Sequence, residues 1–264
     1  MEWNGDQLLK RVFLRVAYDG TRYHGYQIQE TATTIEGELH KAICDLTGED
    51  VELIGGSRTD AGVHAKANVC VFDTESPIPG DRFIFALNQR LPEDIVIMES
   101  KEVEADFHPR HCDSVKTYEY RIHCSELTDP IKRLYFAQTS YKLDTAKMQE
   151  ASKYIIGEHD FSSFCASGAQ VDSKIRTVYS CEVSMVTTDA KDAVADWGYD
   201  IVIKVSGNGF LYNMVRIIAG TLMEVGRGHI EPIKVRDIIE AKDRACAGPT
   251  APACGLTLWS YEFV

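Results

Sequence analysis

The chain has 264 residues, 44 % of them hydrophobic and 26 % charged, a composition that excludes a disordered or fibrous protein. At this length about 75 % of the unfolded surface can be buried, so neither disulfides nor a structural metal is needed for folding. Forty acidic residues against 28 basic ones give a formal charge of -12, which argues against a polyanionic partner unless basic residues gather locally, as Lys10, Arg11, Arg15 and Arg22 do.

Eight cysteines (44, 70, 112, 124, 165, 181, 246 and 254) are scattered with no C-x-x-C pair, and they read as buried free thiols of a reducing compartment. The opening MEWNGDQLLKRVFLRV lacks a basic start followed by an apolar core, and no run approaches the ~18 apolar residues of a membrane span. The expected location is the cytosol.

In chain order, residues 11-18 alternate as a half-buried strand, followed by the aromatic loop YDGTRYHGY. Thr33 and Glu36 form a capping-box signature, and Ile35, Leu39, Ile43 and Leu46 share one helical face, which predicts a helix over 34-47 ending at Gly48. Strands follow at 51-56 and 67-74, linked by SRTDAGVHAK. Asp81 is placed to cap a helix running to Arg90, Pro92 stops it, and 94-101 returns as a strand.

The second half repeats the plan: strands at 114-124 and 133-139, a helix at 144-156 capped by Asp144, the loop GEHDFSSFCASG, and strands at 175-187 and 199-206. Residues 207-228 are apolar nearly all round, as a buried helix would be, with Asn213, Arg216 and Glu224 arguing against a membrane. A helix from about Pro232 to Lys242 and a strand at 256-263 close the chain. The class is α+β, with helices against a mainly antiparallel sheet in each of two halves.

Chemistry concentrates in Gly55-Gly56-Ser57-Arg58-Thr59-Asp60-Ala61-Gly62-Val63-His64, where glycines allow the main chain to approach a ligand. A turn in which Asp60 bonds local N–H groups fits the same residues. Arg216, on an otherwise apolar helix, calls for a facing carboxylate, for which Asp60 is the natural choice; a stem reaching solvent is the alternative. Tyr118 and Tyr120 point to one face of their strand with Lys116, where a phenol can stack on a base and the ammonium can hold a phosphate. The group His108-Pro109-Arg110-His111-Cys112 has metal-ligand residue types but no second cluster to complete a site.

Together YDGTRYHGYQIQ (18-29), SRTDAGVHA (57-65), ALNQRLPEDI (86-95), FHPRH (107-111), KTYEY (116-120), GEHDFSSF (157-164), GFLYNMVRIIAGTLMEVGRG (209-228) and APACGL (251-256) resemble the bacterial tRNA pseudouridine synthase A family over nearly the whole chain. The resemblance implies a pseudouridine-synthase-like fold of two similar halves, 1-105 and 106-264, with the active-site cleft between them. It implies isomerisation of uridine to pseudouridine at tRNA positions 38 to 40, in the anticodon stem-loop, by a homodimer using no metal and no organic cofactor. It makes Asp60 the nucleophile, lays Tyr118 over the target base, gives Arg58 a part in extracting the uridine and pairs Arg216 with Asp60. Lys116 and Leu256 complete the expected substrate contacts, Leu256 as an apolar pocket wall. Ser57 stands where glycine is common in the family, Tyr26 where tryptophan is, and Pro109 where alanine is. Two rival readings remain: a non-catalytic RNA-binding protein, and a hydrolase using Asp60 with His64.

Overall fold

A computed structural model of the chain describes residues 9-168, 171-186 and 197-264. Residues 1-8 of the opening segment and residue 187 of the strand expected at 175-187 lie outside the described residues. The chain divides into two compact units, one of residues 1-113 with Phe263 and Val264, the other of residues 114-262.

The first unit contains β1 (Lys10–Tyr18), α1 (Ile35–Thr47), β2 (Ile54–Gly55), β3 (His64–Thr74), α2 (Phe83–Leu87) and β4 (Ile95–Val103). Its sheet has the order β4-β1-β3, antiparallel throughout, and β2 adds to β3. Val12, Leu14 and Val16 are fully buried, as their alternation predicts, but Phe13 is buried too. It is covered edge-on by Phe107 and Phe263, so the start of β1 is apolar on both faces. On α1, Ile35, Leu39 and Ile43 are buried as expected.

The cap of α1 lies one residue from its expected place. Thr34 accepts the Gly37 N–H, and the Glu36 carboxylate accepts the Ile28 N–H instead of closing a capping box with Thr33. Asp81 caps nothing: it sits in a 3-10 turn before α2, and the Ile84 N–H is met by the Ser100 hydroxyl. The strand expected at 51-56 shrinks to Ile54–Gly55, whereas β3 begins three residues early, at His64.

The second unit contains β5 (Ser114–Ser125), β6 (Ala137–Thr139), α3 (Thr145–Ser152), β7 (Gly157–Asp160), β8 (Ile175–Val186), β9 (Gly198–Gly207), α4 (Met214–Gly226), α5 (Lys234–Ala241) and all but the last residue of β10 (Leu256–Phe263). Its strand order is β10-β5-β9-β8-β7. The long β5-β9 and β8-β9 pairs are antiparallel, and β6 is a short parallel exception on β5. Asp144 caps α3 as predicted, but α3 tightens into a 3-10 turn after Ser152, and four residues of the expected 157-168 loop form β7. The helix expected over 207-228 begins only at Met214, because Gly207 ends β9 and residues 208-213 turn the chain. Once formed it is buried nearly all round, with Ile217, Ile218, Ala219 and Leu222 inaccessible. Among the described residues no helix is long and apolar enough to cross a membrane.

Four cysteines, 70, 124, 165 and 181, are buried as free thiols, and burial pushes the thiols of Cys70 and Cys181 up to about 12. The expectation of uniform burial fails elsewhere: Cys44, Cys112 and Cys254 are half-buried and Cys246 is exposed.

Candidate active site

The Ser57–His64 segment joins β2 to β3 as an irregular loop whose carbonyls are held from outside. Asn68, fully buried on β3, donates from Nδ2 to the Ser57 carbonyl at 2.9 Å and to the Tyr18 hydroxyl at 3.1 Å. That hydroxyl lies 2.7 Å from Thr59 Oγ1, and the Thr59 carbonyl accepts the Tyr26 N–H at 3.0 Å. Gly62 N–H donates to the Tyr23 carbonyl. The aromatic loop after β1 is thereby laced to the R-T-D segment. Gly25 permits the close approach: its φ is +91°, and a Cβ there would fall 2.7 Å from the Thr59 carbonyl oxygen.

This lacing buries Ser57 and Thr59 while leaving Arg58 exposed and Asp60 half-buried. Val63 N–H returns to the Asp60 carbonyl, closing a turn under the carboxylate. His64 is buried, with Nδ1 3.1 Å from both the Gly20 N–H and an Asp19 carboxylate oxygen. That position makes it an anchor for the end of β1, which weakens the hydrolase reading that pairs it with Asp60.

Arg58 also lines a cavity of about 530 Å³ in the first unit, with Arg110, Glu36, Tyr26 and His40 among its walls. Two basic residues 52 positions apart are thus brought together. Burial pushes the Glu36 carboxyl above its usual range, opposed by the Ile28 N–H and the positive charges of Arg58 and Arg110. Arg110 follows Pro109 in a turn closed by the His111 N–H on the His108 carbonyl, a position suited to proline. The rings of His108 and His111 stack at 3.8 Å. By contrast, the early basic residues are neutralised: Lys10 meets Glu102, Arg11 Asp73, Arg15 Glu99 and Arg22 Asp94.

In the second unit, Tyr118 is buried against the edge of Phe210, with ring centroids 5.2 Å apart. Tyr120 is the core member of the pair, its hydroxyl donating to the Pro252 carbonyl and its phenol pKa raised by burial. Lys116 lies half-exposed, with its ammonium 4.7 Å from the centre of the Tyr261 ring. Leu256, at the start of β10, is buried.

Arg216 lies in the first turn of α4 and is half-buried. Its Nε donates to the Ala251 carbonyl at 2.8 Å and its Nη1 to Asn213 Oδ1 at 2.6 Å, so two bonds fix the plane of the guanidinium. Asn213 is a supporting residue of the candidate site that sequence reasoning did not single out. It adopts φ +59° at the N-terminal end of α4, a left-handed conformation that asparagine tolerates better than most side chains. Its place three residues before the arginine is the signal that could have found it. The APACGL segment takes part through a reciprocal bond, Ala251 N–H to the Arg216 carbonyl.

The first unit thus holds a half-buried carboxylate on a laced loop with an exposed arginine two residues before it, and the second holds a guanidinium fixed in plane on a buried helix. The family model for tRNA pseudouridine synthase matches residues 15-111 and 151-264. Among similar curated proteins, the tRNA pseudouridine synthase A of Brevibacillus brevis is 45 % identical over 97 % of this chain and 100 % of its own length. That of Acetivibrio thermocellus is 47 % identical over 95 % of this chain and 98 % of its own. A third, from an Exiguobacterium species, is 41 % identical over 97 % of this chain and 98 % of its own. The chain belongs to the tRNA pseudouridine synthase family.

Proposed function

We propose that the chain converts uridine to pseudouridine at positions 38 to 40 of tRNA, in the anticodon stem-loop, with Asp60 as nucleophile. The observation that carries this reading is the R-T-D loop. External hydrogen bonds hold its backbone while the carboxylate stays half-accessible, which is what a nucleophile acting on a bulky polymer needs.

The reaction breaks the N1–C1′ bond, turns the base and forms C5–C1′, while the proton on C5 is lost and N1 gains one. Atoms and electrons balance within the nucleotide, so no co-reactant is required. A base in a stem must first be flipped out at a cost of a few kcal/mol, and it is then held by stacking. Tyr118 supplies the stacking face, Leu256 an apolar wall, Arg58 assistance in extraction and Lys116 a phosphate contact. Arg216 takes the part of the positive partner that the family resemblance gives to Asp60.

The acidic total charge is compatible with tRNA because phosphates respond to local fields. Arg58 and Arg110, which share one cavity, are better placed for them than the ion-paired residues of β1. The functional assembly is a homodimer in the cytoplasm, to be checked by light scattering at working concentration. The reading is tested by incubating the pure protein with an unmodified tRNA transcript and mapping pseudouridine at base resolution. Conversion confined to positions 38 to 40 is expected; binding without conversion would favour a non-catalytic RNA-binding protein.

A further inference from the structure

The end of α1 carries a second cluster of reactive side chains, independent of the proposed isomerisation. His40 and Cys44 are four residues apart and so lie on one face of the helix. Gly48, in the left-handed conformation with φ +76°, ends the helix and turns the chain back, and Thr47 braces the turn by accepting the Glu49 N–H. Asp50 is thereby delivered to the same spot. Its Oδ1 lies 3.0 Å from His40 Nε2, and Cys44 Sγ lies 3.6 Å from that same nitrogen. One ligand atom from each of the three residues falls within 4.8 Å of the others.

We propose that His40, Cys44 and Asp50 bind a divalent transition metal of the zinc class. Tetrahedral zinc with bonds of about 2.0–2.3 Å has ligand-to-ligand edges of about 3.3–3.8 Å. The sulfur-to-nitrogen separation has that length, but Sγ also lies 3.8 Å from Nδ1, so metal binding requires the half-buried His40 ring to turn until its Nε2 lone pair faces the sulfur, while the 95 % exposed Asp50 carboxylate is free to rotate. A thiolate and an imidazole select zinc over magnesium or calcium, and three protein ligands leave the fourth position to water. His40 and Asp50 both line the 530 Å³ cavity, which gives the ion an entry path. On binding, the Cys44 thiol releases its proton to solvent and the ion ties the end of α1 to the segment leading into β2. The ion takes no part in the chemistry proposed at Asp60. A search for C-x-x-C pairs misses the site because its ligands are a helical His-x-x-x-Cys and a carboxylate from the following loop.

The test uses the full chain, stripped with a chelator and titrated with cobalt(II) alone, reading the thiolate-to-cobalt charge-transfer band. One equivalent should saturate the band, and one equivalent of zinc should abolish it. Cys44→Ser should remove the band, whereas Cys246→Ser, at an exposed cysteine elsewhere, should leave it intact. Asp50→Asn is the safeguard against misfolding, since that side chain is almost wholly exposed. It should weaken cobalt binding by at least about tenfold, the loss that disturbing even an outer ligand partner brings. No band at a metal concentration equal to the protein's would overturn the proposal. So would a band that survives Cys44→Ser, or unchanged affinity in Asp50→Asn.

Discussion

Between β2 and β3 the loop at 57-63 has neither helical nor strand hydrogen bonds, and its carbonyls at Ser57 and Thr59 are taken by Asn68 and by the Tyr26 N–H. At the start of α4 the reverse holds: Arg216 stands on a regular helix whose neighbours Val215, Ile217 and Ile218 are buried. The loop is held by polar bonds that single substitutions can delete, whereas α4 is held by apolar packing that loss of a polar partner leaves largely intact. Damage to the first region should therefore lower stability and turnover together, and damage to the second should separate them.

The sharpest separation is expected for Arg216→Leu. Turnover should fall by about a hundredfold or more, the scale seen when one preorganised charge partner is removed from a reacting site. The substitution removes the desolvation cost of a guanidinium but strands the carboxylate proposed to face it. Adding Asp60→Asn should then recover the small stability loss of Arg216→Leu without recovering activity, a coupling read by denaturant melts of the four proteins of the cycle. Additive melts would show that the two residues do not interact.

Asn68→Ala should break the loop region. It removes the donor to the Ser57 carbonyl and the Tyr18 hydroxyl at a fully buried position, which costs about 1–3 kcal/mol. The denaturant midpoint and the turnover rate should fall in step; a reduced midpoint with full turnover would mean that the loop does not depend on this strap.

Asn213 sharpens the comparison within the second region. Asn213→Ala should cost about 1–2 kcal/mol, because alanine resists the left-handed backbone, and Asn213→Gly should cost much less. Both lose the bond to Arg216, so both should slow turnover to a similar extent despite different stabilities. Equal rates for Asn213→Gly and the parent would remove Asn213 from the positioning of Arg216. The smallest effect belongs to Thr34→Ala, which should cost about 1 kcal/mol at the α1 cap and leave turnover unchanged.

Legibility in the sequence followed the same division. Helix α1 and the buried face of α4 were readable because apolar periodicity repeats over several turns, so one misplaced residue cannot erase it. Boundaries were not. Thr33 and Thr34 are chemically alike, and only the backbone decides which one caps. Phe210 and Leu211 are as apolar as α4 itself, yet they lie in the turn before it, set by the conformation of Asn213. In the candidate site, Asp60, Tyr118 and Arg216 stood out by residue type and motif. Their supports, Asn68 and Asn213, did not, because an ordinary amide gains its role only from partners distant in sequence or from a backbone angle. The basic run near the start misled for the same reason: its carboxylate partners lie 62 to 92 residues away.

The central claim is that the Asp60 carboxylate performs the isomerisation and contributes little to holding tRNA, whose affinity rests mainly on phosphate contacts. Single-turnover conversion of an anticodon stem-loop substrate, measured beside tRNA affinity for the parent and Asp60→Ala, tests it directly. The account predicts that Asp60→Ala abolishes conversion while binding stays within severalfold of the parent. Conversion by Asp60→Ala within tenfold of the parent rate would contradict it.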